Sequence, residues 1–383
     1  MPIFNMALNK PSTSIGLSWE DQLHEAIDPD TYVSASEALK NSDIYSLITQ
    51  LSGDLATVAY SVSNPALQRL IDNPTCTSNG HAFWQSTFAQ LLLAGESFAY
   101  RWRDFNGRDR RWEYLRPSQV SPKLLNDGSG LIYDLIFDEP DVGTKLNVSQ
   151  NDVIHFRLLS KNGGMTGISP LTALASELDI KKRSNTLTRH ALAQSTAAPG
   201  VLSVKNGALL DSKLRASLSN DFAKQMASSK GPIVLDDLQE YKPLELKADV
   251  SKLLAQADWT GSQIAKVYGV SNSYLNGTGD QQSSIEMIVG QYSRTLRRYT
   301  NSITSELTTK LGIQVVADIR PAIDPNGDDY AAKIGNLTKN NVLGANQAQA
   351  ILQECGYLPE SLPAMEGGES SGNSRNQGND QQR

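Results

Sequence analysis

Few side chains in this chain of 383 residues have the type and spacing to do chemistry. The four histidines, His24, His81, His155 and His190, are scattered, and no two have metal-ligand spacing. Cys76 and Cys355 sit in no C-x-x-C pattern, which predicts two free thiols rather than a disulfide. G-x-S-x-G, H-E-x-x-H and the Walker A loop are all absent, so the common hydrolases lack their residue sets here. The glycine-rich run 161–167 (KNGGMTG) has no lysine at the following helix start and reads as a flexible connection, not a phosphate loop. His155 lies in an apolar strand pattern (VIHF) and reads as a structural histidine. The acids at 138–141, 236–237 and 328–329 look like solvated turns, so no general acid–base pair stands out. The expectation is no enzyme, no catalytic residue, no metal and no cofactor.

Polyanion contact is the chemistry that remains. Lys181, Lys182 and Arg183 form a basic run, with Arg189 and His190 further along the same helical pattern. Lys182 and Arg189, seven apart, share a face: a solvated face, or a contact with polyanion or a neighbouring subunit's carboxylates. Arg294, Arg297 and Arg298 admit the same two readings. Residues 262–275 (SQIAKVYGVSNSYL) have helix-turn-helix spacing, which would make the chain a DNA-binding regulator. The second helix would carry Asn272, Ser273, Tyr274, Asn276 and Asp280, with no cation for phosphates, and is broken by Gly277 and Gly279. A helix ending at Gly269 and a polar loop after it is the preferred reading. The net charge of −6 disfavours a tight grip on DNA over a large surface.

These residues hang on a long framework. Residues 167–200 read as one helix of roughly 40 Å, with Ser169 as N-cap, Pro170 in the first turn and Pro199 with Gly200 as the stop. Its apolar stripe (Leu171, Leu174, Leu178, Leu187, Ala191) is thin, which makes it a strut and not a core helix. Before it come a capping box at Ser34 to Glu37, a core helix through 44–58, a short helix from Asn64 and Pro65, and an aromatic-rich helix over 81–94. Strand patterns follow at 97–103, 111–115, 119–124, 132–137 and 152–157, the first two joined by an Asn-Gly turn. After the strut, 201–246 reads as a small β-α-β-β unit, too small to be stable without neighbours. Helices at 251–269 and 284–311 flank the polar loop; Gly290 is a candidate kink and Gly312 the cap. A short strand at 315–317 precedes helices at 328–337 and 345–354.

Hydrophobic residues make up 39% of the chain and charged ones 20%, an ordinary globular composition. No run approaches 18 apolar residues, so no membrane span or membrane partner is expected, and the first residues do not read as a signal peptide. Residues 1–30 read as a poorly ordered arm, and 366–383, without an apolar residue, as a disordered tail.

The ordered set of segments resembles the portal protein family of tailed double-stranded DNA phages, in its long-tailed-phage form. The segments are SASEAL at 34–39 before the 44–58 helix, LLAGESFAY at 92–100, YLRPSQV at 114–120, DVIHFR at 152–157 followed by GISPL at 167–171, APGVL at 198–202 and IAKVYGV at 264–270. Two positions depart: Glu96 stands where the family has Asn, and Ser271 and Asn272 where it often has Pro. The resemblance implies an α+β portal fold: an α/β wing, a two-helix stem, a small β-α-β-β clip, a long wing helix and a short helical crown. It places an arm at 1–32, the wing at 33–168, the descending stem helix at 169–199 and the clip at 200–248. The ascending stem helix takes 249–269, a tunnel loop 270–283, the long wing helix 284–312, the crown 313–365 and the tail 366–383.

By the same resemblance the chain would form a ring, usually of twelve subunits, at one capsid vertex of the virion, after assembly in the host cytoplasm. Double-stranded DNA would pass through it, without sequence preference, during packaging and ejection. The tunnel loop would present Ser271, Asn272, Ser273, Tyr274, Asn276, Thr278, Asp280, Gln281 and Gln282 to the channel. Other partners would be the terminase large subunit, a head-completion or adaptor protein, and the major capsid protein or scaffold.

Overall fold

The structure, a computed structural model, describes residues 13–14, 34–197, 200–204, 211–228, 239–243, 250–271, 285–359 and 361. Residues 57–59 with 318–383, and the rest of the chain to 317, form two separate compact units.

The larger unit is built on apolar spacing. Helix α1 (Ala35–Ala38) is a single turn capped by Ser34, whose side chain accepts from the Glu37 backbone N–H at 3.2 Å. Helix α2 (Ser42–Thr57) buries Ile44, Leu47, Ile48, Leu51 and Leu55, three and four residues apart on one face. Asn64 caps α3 (Pro65–Asp72), and Asn79 caps α4 (Gly80–Ala94), its Oδ1 accepting from the Ala82 N–H at 2.8 Å. Trp84 and Phe88 of α4 stack at 5.3 Å, and Trp84 meets the edge of Trp112 at 6.0 Å, so this helix carries the aromatic centre of the core.

Strands β3 (Glu96–Arg103), β4 (Asp109–Leu115) and β8 (Val153–Arg157) form an antiparallel sheet in the order β4-β3-β8. A second antiparallel sheet runs β1 (Thr13–Ser14), β5 (Val120–Leu124), β6 (Leu131–Ile136), β7 (Thr144–Ser149). Phe98, Leu115, Val120, Tyr133, Leu135, Phe137 and Val153 interlock between the two sheets. The short strand β2 (Ala59–Ser61) follows α2.

A 3₁₀ turn (Pro170–Leu174) leads into α5 (Ala175–Ala197), the strut. Strand β9 (Gly200–Val204) pairs antiparallel with β10 (Gln239–Pro243), and α6 (Ser212–Ser228) lies between them in sequence. Phe222 and Tyr241 meet at 5.0 Å between ring centres. Helix α7 (Val250–Tyr268) packs along α5. Helix α8 (Ile285–Leu311) runs through Gly290 and lies against β8. Strand β11 (Val316–Asp318) follows. The smaller unit holds α9 (Arg320–Ile323), α10 (Asp328–Lys339) and α11 (Ala345–Glu354), with Ile334 and Ala348 buried. Its Tyr330 and Tyr357 rings lie 5.7 Å apart.

Several sequence expectations need correction. The strut does not start as α-helix at Ser169: the Ser169 carbonyl accepts from both the Thr172 N–H (3.2 Å) and the Thr172 hydroxyl, which tightens the first turn to 3₁₀. The strand expected from Gln119 opens with a 3₁₀ turn, Pro117–Gln119. Thr13 and Ser14, read within a poorly ordered arm, pair with Leu124 and Lys123. Strand β7 is not legible in the sequence, because it is a mostly exposed edge strand whose TKLNVS run carries little apolar alternation. Helix α9 is likewise absent from the sequence reading. The strand read at 232–235 and the tail at 366–383 lie outside the described residues. The thiols of Cys76 and Cys355 are free.

Candidate nucleic-acid interface

The basic run sits just after the strut's start, where the chain leaves its core. Ser169 fixes that start: its hydroxyl donates to the Leu93 carbonyl at 2.6 Å and accepts from the Leu171 N–H at 3.1 Å, while Leu171 and Leu174 are buried. Beyond them α5 is mostly wet. Lys181 is largely covered, with only 12% of its side chain exposed; it pairs with Asp43, in the first turn of α2. Lys182 reaches Glu37 at 3.4 Å, with 72% of its side chain exposed. Lys40, and then Lys182, hold the Glu37 carboxyl below the usual carboxylate range. Arg183 bonds Asp179 at 2.7 Å, one turn back on the same helix. Arg189 and His190 are exposed and make no ion pair among the described residues. Of Lys181, Lys182, Arg183 and Arg189, the first three are thus paired within the chain.

Helix α7 ends in a C-cap. Gly269 is left-handed (φ 72°); its N–H bonds the Lys266 carbonyl (3.1 Å) and the Val270 N–H bonds the Ala265 carbonyl (2.9 Å). This is the paired-bond pattern of a Schellman motif. Helix α8 then holds the free carbonyls. Thr295 Oγ1 donates to Gly269 O at 2.5 Å, and the Tyr299 hydroxyl donates to Tyr268 O at 3.0 Å. The Tyr268 hydroxyl itself reaches Leu92 O at 3.1 Å, which ties the cap to the core.

Ser271 is the last described residue here. Asn272, Ser273, Tyr274, Asn276, Thr278, Asp280, Gln281 and Gln282 lie outside the described residues. Gly269, Val270 and Ser271, with Gln291, Arg294, Thr295 and Arg298 of α8, line an open cleft of about 500 Å³. Ile264, Ala265 and Tyr268 are buried against the core. The described half of the helix-turn-helix reading is therefore the end of a packed helix, and the DNA-regulator alternative has no support.

Behind the cap, a charged network locks α8 to the sheet. Glu306 Oε1 accepts the His155 backbone N–H at 3.0 Å, and its carboxylate pairs with Arg157 (3.5 Å) and Lys310 (3.6 Å). Burial lowers the Lys310 ammonium's pKa from the usual lysine value. Arg101, paired with Asp109 at 2.9 Å, donates to the Lys310 carbonyl at 2.7 Å, satisfying an orphan acceptor in the last turn of α8. No local pattern in the sequence signals this network, since its members come from positions up to about two hundred residues apart. His155, read as structural, is fully buried and hydrogen-bonded on both ring nitrogens.

Among the described residues no cluster of histidine, cysteine and acids could hold a metal, and no helix is long and apolar enough to cross a membrane. The arrangement is a wet strut and a braced helix end, carrying cations and amides.

No curated protein matches the chain in sequence. Solved structures do share its fold. The neck of a native gene transfer agent particle, computed with C12 symmetry, matches over 90% of this chain and 96% of its own, at 17% identity and a TM-score of 0.64. The virion of a native gene transfer agent particle matches over 84% and 94%, at 18% identity and 0.62. An HK97 family phage portal protein from Corynebacterium diphtheriae matches over 76% and 96%, at 15% identity and 0.55. A family model described as "Phage portal protein" matches residues 42–351, most of the chain. Portal proteins are structural and non-enzymatic. This chain belongs to the phage portal protein family.

Proposed function

We propose that the chain is the repeating subunit of a portal ring at one capsid vertex, a non-enzymatic conduit for double-stranded DNA during packaging and ejection. In this reading 33–168 is the wing, α5 and α7 are the stem, 200–248 is the clip, 270–283 is the tunnel loop, α8 is the long wing helix and 313–365 is the crown. The clip would dock the terminase large subunit and later a head-completion protein, and the wing would face the major capsid protein or scaffold. Kinship with a neck structure of C12 symmetry supports about twelve subunits.

The observation that carries the ring is the stem. Ile180 and Leu187, seven apart on α5, and Trp259 on α7 are each 43–50% exposed, although the two helices already pack on each other. A single subunit leaves this apolar surface in water, whereas neighbours in a ring would cover it.

The test is the solution mass of the purified chain, with negative-stain images of the same sample. A particle of about twelve subunits with a central hole supports the conduit. A chain that stays monomeric with and without capsid scaffold counts against it.

A further inference from the structure

We propose that Arg294 and Arg298 of α8 form a phosphate-binding site beside the C-terminal cap of α7, engaging the phosphodiester backbone of DNA in the channel. The proposal rests on the conduit reading above and adds named residues to it.

Several of the chain's cations come with acids. Lys40 has Glu37, Arg183 has Asp179, Lys310 has Glu306, Arg101 has Asp109 and Arg116 has Asp138. Arg294 and Arg298 do not. Both are exposed, neither has an ion pair among the described residues, and none of the described residues lining their cleft is an acid. They stand four apart on one helix face, where like charges repel and weaken the helix. An acid at either position would relieve that repulsion, so the pair suits an external anion.

One guanidinium of the cleft is tethered at a single nitrogen. Arg298 Nη2 donates to Thr295 Oγ1 at 3.1 Å and points at Gly269 O at 3.5 Å, and its other N–H groups make no hydrogen bond among the described residues. Arg294, one turn away, makes no hydrogen bond among the described residues, and Gln291 adds a side-chain amide to the same wall. Two guanidinium forks and an amide around an open cleft match the oxygens of a phosphodiester. The site lies beside the helix end braced by Thr295 and Tyr299, so a bound phosphate would sit against a rigid element of the fold.

The experiment uses the assembled full-length chain and a fluorescein-labelled duplex of about three helical turns, followed by anisotropy across a salt series. The Arg294→Gln/Arg298→Gln variant is expected to form rings of unchanged mass and to bind at least tenfold more weakly at low salt. Its log–log salt slope should be shallower by about 0.9 for each phosphate that is no longer neutralised. The Arg294→Lys/Arg298→Lys variant should keep the wild-type slope and weaken only a few-fold in affinity, because charge remains but the fork does not. Unchanged affinity and slope in intact glutamine-variant rings would overturn the site and leave the conduit standing. Loss of the ring itself in that variant, with the lysine variant intact, would also overturn it, by assigning the cleft to a carboxylate of a second copy. A wild-type chain that never forms a ring would instead remove the conduit reading on which the site depends.

Discussion

His155 shows how one buried side chain sets a pH dependence. Its Nε2 lies 3.1 Å from Glu96 Oε2 and its Nδ1 lies 3.1 Å from the Tyr133 hydroxyl. The Glu96 carboxylate can only accept, so Nε2 carries the proton and Nδ1 accepts from the Tyr133 hydroxyl. Burial, helped by the Arg157 charge, lowers the imidazole pKa to about 4, against opposing pulls from Glu96 and Glu306. The unfolded chain, with an ordinary histidine near 6.5, binds the proton first as pH falls. His155 therefore costs nothing above pH 6.5 and destabilises progressively down to about pH 4, by about 3 kcal/mol in all. Urea midpoints at pH 7 and pH 4.5 should differ less for His155→Gln than for the wild type, since the amide has no proton to take up; equal losses would show that the acid sensitivity lies elsewhere. Burial decides the ion pairs in the same way. Arg101 and Asp109 keep 8% and 1% of their side-chain exposure, so Arg101→Met strands a buried carboxylate and should cost ~3–5 kcal/mol in chemical denaturation. Arg116 and Asp138 are 55% and 73% exposed, and Arg116→Ala should cost below about 1 kcal/mol.

The elements depend on two glycines in different ways. Gly95 ends α4 in a left-handed conformation (φ 76°), and a Cβ there would lie 2.0 Å from the backbone carbonyl oxygen of Ile168, which leads to the strut. Gly269 has a similar φ of 72°, but its Cβ would meet only the movable tip of Arg298, at 2.5 Å. Gly269→Ala should thus cost roughly 1 kcal/mol of backbone strain, and Gly95→Ala about 2–4 kcal/mol, because a packed backbone must also shift. Comparable denaturation midpoints for the two variants would refute the close approach at Gly95. The glycines also mark what the sequence could reveal. Helix ends at Gly95, Gly269 and Gly312 and the faces of α2, α4 and α8 are readable, because caps and three-four spacing are local signals. The turn at Ser169, strand β7 and the network from Arg101 to Lys310 are not. A hydroxyl choosing a nearby carbonyl, a polar edge strand and pairings across the fold leave no periodic trace. At the candidate site, the cations of α5 and α8 are visible as residue types. That Lys181 is tied to Asp43 while Arg294 and Arg298 stay unpaired among the described residues is visible only in three dimensions.

At the scale of the whole molecule, the charge of α5 can be separated from its fold. Lys182 bonds Glu37 across an exposed gap, with 72% and 46% of the side chains in water, and Arg189 has no ion pair among the described residues. Such a pair contributes below about 1 kcal/mol, so Lys182→Glu with Arg189→Glu should leave the subunit folded, with a denaturation midpoint close to that of the parent. The apolar residues Ile180 and Leu187 remain available for neighbours, so assembly would suffer only if the two basic residues themselves meet carboxylates of the next subunit. If they face the channel, two new acids per subunit, repeated around the ring, would repel the duplex, and packaging would fall while the ring's mass held. Ring mass and the fraction of DNA-filled particles, measured on the same double variant, divide these cases. Smaller particles place the basic face at a subunit boundary, and whole rings with empty capsids place it in the DNA path. A normal yield of full particles would remove both roles and leave Lys182 and Arg189 as solvated charges on a strut.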